Sequence, residues 1–67
     1  MIKINLYNKS ECYINPKLVS AMFPSEGGYD DLPDIMFHLE VGGSRFVLKD
    51  RAEFDMLLDE VPRYQLK

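Results

Sequence analysis

The stretch that decides the fold runs from 35 to 49 and reads IMFHLEVGGSRFVLK. Apolar and polar side chains alternate on both sides of the glycine pair at 42–43, with the period of a half-buried β-strand. Two consecutive glycines accept the positive φ angles of a two-residue turn. The stretch therefore predicts a β-hairpin in which Leu39 faces Phe46 on the core side.

An amphipathic helix is predicted directly after this hairpin. Asp50 is followed three residues later by Glu53, the spacing of a capping box. Apolar residues then recur at helical spacing and form one stripe, Phe54, Leu57, Leu58 and Val61. Pro62 is expected to end the helix, which leaves residues 63–67 either as a short frayed tail or as a segment that lies on a neighbouring chain.

The N-terminal residues 2–14 predict a second hairpin, because they alternate in polarity around a turn at 8–10. A three-residue turn would set Leu6 opposite Cys12 on one face. Proline at position 16 ends the second strand, since it has no N–H for the ladder.

Two less regular segments separate the hairpins. Residues 16–23 fit either a helical turn capped by Asn15 or a short third strand, and we prefer the strand. Residues 24–34 concentrate proline, glycine and aspartate without periodicity, which predicts a mobile surface loop. The four carboxylates of this loop lack the order of a calcium-binding loop, so a solvated acidic loop is expected there.

Together these elements predict a single α+β domain over residues 1–67. We expect a small antiparallel sheet of two hairpins, with four to five strands, and one C-terminal helix packed on one face. A chain this short buries only about 60% of the surface that its unfolded form exposes. One cysteine and one histidine supply neither a disulfide nor a four-ligand zinc site. Self-association is therefore the expected source of further stability.

Charge and hydropathy argue against several classes of function. Eleven acidic and eight basic residues give a net charge of -3, the wrong sign for general binding of nucleic-acid phosphates. The sequence has no apolar run of the length that a signal peptide or a membrane helix requires. We therefore expect a cytoplasmic protein that binds neither nucleic acid in general nor a membrane.

Residues suited to catalysis are scarce. A nucleophilic site needs a nucleophile, a base and a group that orients the base. The single imidazole, His38, is expected on one face of the sheet, while Cys12 is expected on the opposite, core-facing side. We predict that the protein is not an enzyme and that it uses no cofactor and no metal.

The sheet face away from the helix is the main candidate binding surface. One helix covers only one side of a sheet, yet apolar and aromatic residues are expected on both sides. Contiguous patches of aromatic residues and methionine are typical of interfaces. The predicted interface residues are Tyr7, Tyr13, Phe23, Met36, His38 and Val47. Alternatively, the N-terminal hairpin folds over the second hairpin and hides these side chains.

Two functions fit this surface. The first is a non-enzymatic protein-interaction or regulatory module that self-associates and binds a protein partner. The alternative is a phage-encoded anti-defence sponge, which sequesters a small anionic nucleotide signal between subunits. Basic side chains would bind the anion and aromatic rings would stack on the base. The ligand-binding residues would then be Arg45, Lys49, Arg51 and Arg63, although Arg45 is also placed to form a cross-strand ion pair with Glu40.

The order of the elements resembles that of the FlbD-like small flagellar proteins. The matching stretches are residues 2–4, 13–19 and 46–49, followed by the helix with Phe54 and the leucine pair at 57–58. The turn at 8–9 lacks the Asn-Gly of that family, and the connection at 24–34 is longer. The resemblance implies a fold, and it offers no catalytic or ligand-binding residues to carry over. A phage or prophage origin fits a chain of this size equally well.

Overall fold

The computed structural model describes residues 1–65, which form five strands, a short 3₁₀ turn and a C-terminal helix. In chain order the elements are β1 (Ile2–Asn5), β2 (Glu11–Ile14), the 3₁₀ turn (Pro16–Leu18), β3 (Val19–Glu26), β4 (Ile35–Val41), β5 (Ser44–Val47) and α1 (Arg51–Gln65). The predicted α+β class is confirmed. The expected layout of one sheet made of two hairpins is not: a two-stranded sheet, β1-β2, stands beside a three-stranded sheet, β3-β4-β5.

The hairpin of β4 and β5 has the predicted register. Leu39 lies opposite Phe46, and Glu40 lies opposite Arg45. The two turn glycines have φ angles of 55° and 87°, a backbone conformation that residues other than glycine and asparagine rarely adopt. The glycine pair therefore fixes which residues meet across the two strands.

Both alternatives for residues 16–23 occur, one after the other. The Asn15 side chain accepts a hydrogen bond from the Lys17 backbone N–H at 3.0 Å and caps the 3₁₀ turn. β3 then starts at Val19 and extends to Glu26. The strand is longer than predicted because it continues through a proline.

Pro24 is accommodated because β3 lies at the edge of its sheet. Its partner on β4 is Phe37, whose carbonyl accepts a hydrogen bond from the Leu48 N–H at 2.8 Å. The backbone groups of Phe37 thus point toward β5 and away from β3. In an antiparallel ladder this leaves the Pro24 nitrogen facing the free edge, where the missing N–H costs no ladder bond.

The connection between β3 and β4 is a closed turn. The N–H groups of Gly27 and Gly28 donate to the carbonyls of Asp34 and Pro33, each at 2.8 Å. A Cβ on Gly27 would lie 2.2 Å from the Pro33 carbonyl oxygen, so this close approach requires glycine. The predicted start of the loop at Pro24 is wrong, because that segment is paired in β3.

The N-terminal hairpin pairs two residues out of the predicted register. Ile4 rather than Leu6 lies opposite Cys12, so five residues, 6–10, connect the strands. The Asn8 side chain accepts from the Ser10 N–H at 3.1 Å and stabilises this wider turn. A shift of two residues leaves every side chain on its predicted face.

A short ladder joins the two sheets. Leu6 and Leu48 form an antiparallel bridge, and the Tyr7 N–H donates to the Val47 carbonyl at 3.0 Å. The strands therefore follow one another in space as β2, β1, β5, β4 and β3. Leu6 and Tyr7, the residues that follow β1, thus pair with the end of the three-stranded sheet instead of with β2. The turn between β1 and β2 is therefore wider than the predicted three residues.

α1 begins as predicted. The Asp50 carboxylate accepts from the Glu53 N–H at 3.1 Å, which confirms the N-cap. The Glu53 carboxylate does not complete the capping box but accepts from the Asn5 backbone N–H at 3.2 Å and from the Asn5 side chain. Glu53 therefore attaches the first turn of the helix to β1.

The helix ends later than predicted, because Pro62 lies inside it. Pro62 and Leu58, four residues earlier, are both exposed, so the missing helical hydrogen bond falls on the solvent side. The Gln65 side chain donates to the Val19 carbonyl at 2.7 Å and anchors the last turn. Of the predicted tail, residues 63–65 are helical, and residues 66–67 lie outside the described part of the chain.

The hydrophobic core lies between α1 and the inner side of both sheets. Its buried side chains are Ile4, Ile14, Leu39, Leu48, Phe54, Leu57 and Val61. The Phe54 ring packs against Phe37 with the ring centres 4.9 Å apart. Leu58, which was predicted in the core stripe, is 49% exposed, while Met56 packs against the core instead.

Candidate functional site

The three-stranded sheet has a face that points away from α1, called here the outer face. Leu39 is buried toward α1, so its neighbours in β4 point to the other side. Residues in register with those neighbours on β3 and β5 share that side. The outer face consists of Ala21, Phe23, Ser25, Met36, His38, Glu40, Arg45 and Val47.

A row of side chains crosses the outer face from one strand to the next. Phe23, His38 and Val47 lie directly opposite one another on β3, β4 and β5. Tyr7 extends the row, because its backbone N–H bonds the Val47 carbonyl next to the bridge between Leu6 and Leu48. These four residues, the outer row, are half-buried except for Tyr7, which is 36% exposed.

Five of the six predicted interface residues are brought together: the outer row and, beside it, Met36. Tyr13 is not among them. It lies opposite Lys3 on the two-stranded sheet and is 66% exposed. The alternative in which the N-terminal hairpin encloses the tyrosines is therefore not observed for Tyr13.

His38 is fixed by two neighbours. Its ring stacks on Phe23 with centres 4.9 Å apart and an angle of 18° between the planes. Its Nε2 lies 2.6 Å from the Ser25 hydroxyl. The other ring nitrogen, Nδ1, is buried without a hydrogen-bond partner in the described residues. In a catalytic serine–histidine pair, a third group bonds Nδ1 and orients the imidazole so that it can activate the hydroxyl. Residues 1–65 place no such group at the Nδ1 of His38.

Ser25 was missed by sequence reasoning. It follows Pro24 directly, and a proline beside acids and glycines is typical of a loop. The signal that was present is alternation: Phe23 and Ser25 have the spacing of one strand face. It is too short to outweigh the proline.

Arg45 closes the outer face at the β4–β5 turn. Its Nε and Nη2 donate to one Glu40 carboxylate oxygen at 3.0 and 2.6 Å, which confirms the predicted cross-strand ion pair. The guanidinium carbon lies 5.3 Å from the centre of the Phe23 ring, within cation–π distance. Arg45 is thus held on the outer face although its side chain is 57% exposed.

The other predicted ligand-binding residues are not gathered at one place within the chain. Arg51 and Arg63 lie near opposite ends of α1, about 18 Å apart along the axis, and each pairs with acids of the helix itself. Lys49 borders a pocket of about 320 Å³ that also touches Lys9 and Glu11. Any joint role of the four basic residues thus requires contact between chains and stays a prediction.

The closed turn at 27–34 lies beside the outer row. The Tyr7 hydroxyl donates to the Asp31 carbonyl at 2.7 Å. Next to Tyr7, a shallow pocket of about 300 Å³ is lined in part by Val47 and Arg45. The outer face therefore continues from the sheet onto the turn, where Asp34 is exposed.

Cys12 lies on the opposite side from this face. It packs against the hydrophobic core, and burial raises the pKa of its thiol, which favours the protonated form. Cys12 and His38 are thus kept apart, as predicted.

Two further findings concern classes of site. No group of three or more His, Cys, Asp or Glu side chains in residues 1–65 is arranged to bind a metal ion. Within the same range, the structure contains no helix whose length and apolar character would allow it to cross a bilayer.

The resemblance to the FlbD-like proteins stays a prediction. No protein-family model matches the chain, and no significant match was found among curated proteins or solved structures.

Proposed function

We propose that this chain is a non-enzymatic binding module that self-associates through its outer face. The observation that carries the proposal is the outer row: four strand and turn segments place Phe23, His38, Val47 and Tyr7 side by side, while α1 packs on the other side of the sheet. Half-buried aromatic and aliphatic side chains in one patch are typical of contact surfaces.

Contact through the face is favoured over contact through a strand edge. β3 has a free edge eight residues long, but the Pro24 nitrogen faces it and cannot donate to an added strand. The edge strand β2 has only four residues. It also carries Glu11, whose carboxylate lies 2.7 Å from the Lys3 ammonium.

A second copy of the chain is the occupant that the charge distribution favours. Residues 18–44, which include β3 and β4, contain five carboxylates and no lysine or arginine. All eight basic residues lie outside this segment. On the outer face itself the basic residue is Arg45, and Asp34 is exposed at the end of the face, so two copies can place these two opposite charges together. A chain this small also gains stability by burying surface against a partner.

The test compares two substitutions that each add one charge to an apolar surface position. Val47→Lys places the charge in the outer row, whereas Leu58→Lys places it on the exposed side of α1. We expect the mass of the wild type, measured by light scattering, to rise with protein concentration. Val47→Lys should remain a monomer and Leu58→Lys should behave as the wild type.

Two results would contradict this function. The first is a wild-type chain that stays monomeric at high micromolar concentration. The second is equal loss of association in both variants while circular dichroism shows both to be folded, because the contact would then not depend on the outer row.

A second candidate is binding of a small anionic nucleotide, and one observation favours it. Lys9 and Lys49 border the same pocket of about 320 Å³, and the nearby Glu11 is paired with Lys3. A ligand that binds only the native state raises the melting temperature. We expect cyclic nucleotides to raise it for the wild type and not for a Lys9→Ala/Lys49→Ala double variant. An unchanged wild-type melting temperature would eliminate this candidate.

A further inference from the structure

We propose that two copies dock outer face to outer face around a two-fold axis between Met36 and His38, so that Arg45 of each copy meets Asp34 of the other. This geometry rests on the proposed function, since it specifies the contact through which the chain self-associates. In this geometry, the ion pair between Arg45 and Asp34 forms only between copies.

The register places the backbone positions of the two charged residues symmetrically. Arg45 lies opposite Glu40, three residues beyond position 37 of β4, and Asp34 lies three residues before it. At a rise of about 3.4 Å per residue, the backbone positions of the two residues are each about 10 Å from the midpoint along β4, and the Arg45 side chain leans from there toward Phe23. In a two-fold contact, groups displaced equally to opposite sides of the axis meet.

Both groups face the partner. Asp34 is exposed and lies in a bend one residue before β4 begins, and continuing the strand alternation would place it on the side of Met36 and His38. Arg45 uses two N–H groups on a single Glu40 oxygen, and a guanidinium has five such groups. The remaining donors can bind a second carboxylate without breaking the pair within the chain.

The centre of the contact is apolar and small. Three strands spaced about 4.8 Å apart and seven residues of β4 give a face of about 14 by 23 Å, or roughly 300 Å² in projection. Two such faces bury roughly 600 Å² in total, which is below the range of stable specific interfaces, so we expect weak association that is visible only at high micromolar concentration. In a patch of this size the charged contacts decide the orientation.

The test uses charge reversal and mixing. Asp34→Lys repels Arg45 of an identical copy, and Arg45→Glu repels Asp34 of an identical copy, so each variant alone should self-associate about tenfold more weakly or worse. In the mixture every contact pairs opposite charges, and a heterodimer close to wild-type affinity should form. Sedimentation equilibrium with one labelled variant measures both effects.

Asp59→Lys, on the exposed side of α1, is the matched control and should leave association unchanged. The geometry is overturned if each reversed variant self-associates like the wild type, or if mixing does not restore association. In those cases loss of association in Val47→Lys would still support the outer face as the contact. A monomeric wild type would instead overturn the proposed function itself.

Discussion

At the scale of single residues, Gly27 shows how tightly the tip of the β3–β4 hairpin is closed. Its backbone N–H bonds the Asp34 carbonyl at 2.8 Å. The place that a Cβ would occupy is taken by the Pro33 carbonyl oxygen, only 2.2 Å away. The obstacle is backbone, so it cannot move by changing a rotamer.

Gly27→Ala should therefore lower the free energy of unfolding by about 1 to 3 kcal/mol, because the turn must open to admit the methyl group. Urea denaturation followed by circular dichroism measures this loss. Gly42→Asn is the control: its φ of 55° suits asparagine, and the described residues leave open space around it. Equal stability of the Gly27→Ala variant and the wild type would show that the turn is not closed.

Single residues also show why the candidate site was predictable only in part. Alternation alone places Met36, His38 and Val47 on one face, and the structure agrees. Tyr7 joins them because of a bridge between Leu6 and Leu48, a contact between distant parts of the chain. Local pattern carries no information on such a pairing, which is why Tyr7 and Tyr13 were expected to behave alike.

At the scale of elements, α1 shows a helix held together by its surroundings. Pro62 removes one helical hydrogen bond. Val61 is nevertheless 5% exposed in the core, and Gln65 bonds the Val19 carbonyl. Tertiary contacts on both sides of the proline thus keep the last turn helical.

Pro62→Ala should raise the free energy of unfolding by about 1 to 3 kcal/mol. Proline in a helix interior is about 3 kcal/mol less favourable than alanine, and the position near the helix end reduces the gain. Arg63→Ala, one residue further along the helix, is the control. It removes only surface ion pairs, so the free energy of unfolding should change by no more than about 0.5 kcal/mol. If Pro62→Ala brought no gain, the helix would end at 61, as its sequence predicts.

The elements themselves were predictable where local signals agree. The glycine pair sets the β4–β5 register, and Asp50 sets the start of α1. The errors occur at prolines. Pro24 and Pro62 both read as breaks, yet one faces a free sheet edge and the other faces solvent. A proline ends an element only where the surrounding structure does not compensate for its missing N–H, and that depends on the fold.

At the scale of the whole molecule, stability and association are linked. The described residues bury seven hydrophobic side chains as a core, a small number for a chain that must offset the entropy of folding. In the proposed self-association, surface buried between copies would add to this core. Because association binds the folded state, it shifts the unfolding equilibrium by mass action.

The melting temperature should therefore rise as the concentration of the wild-type protein rises. Scanning fluorimetry or circular dichroism over a wide concentration range measures the dependence. Val47→Lys should melt at a temperature that does not depend on concentration, because its outer face cannot pair. A wild-type melting temperature that stays constant would mean that folding is complete within one chain.

The proline in β3 has one more consequence. A long strand with an unpaired rim is a template on which identical chains can stack without limit, as in amyloid fibres. Pro24 is the sixth of the eight residues along that rim, and it withholds a donor from any incoming strand. In the proposed contact, two chains meet by their flat sides, form a closed pair and stop there. In that proposed assembly, this one imino acid favours a finite pair over a fibril.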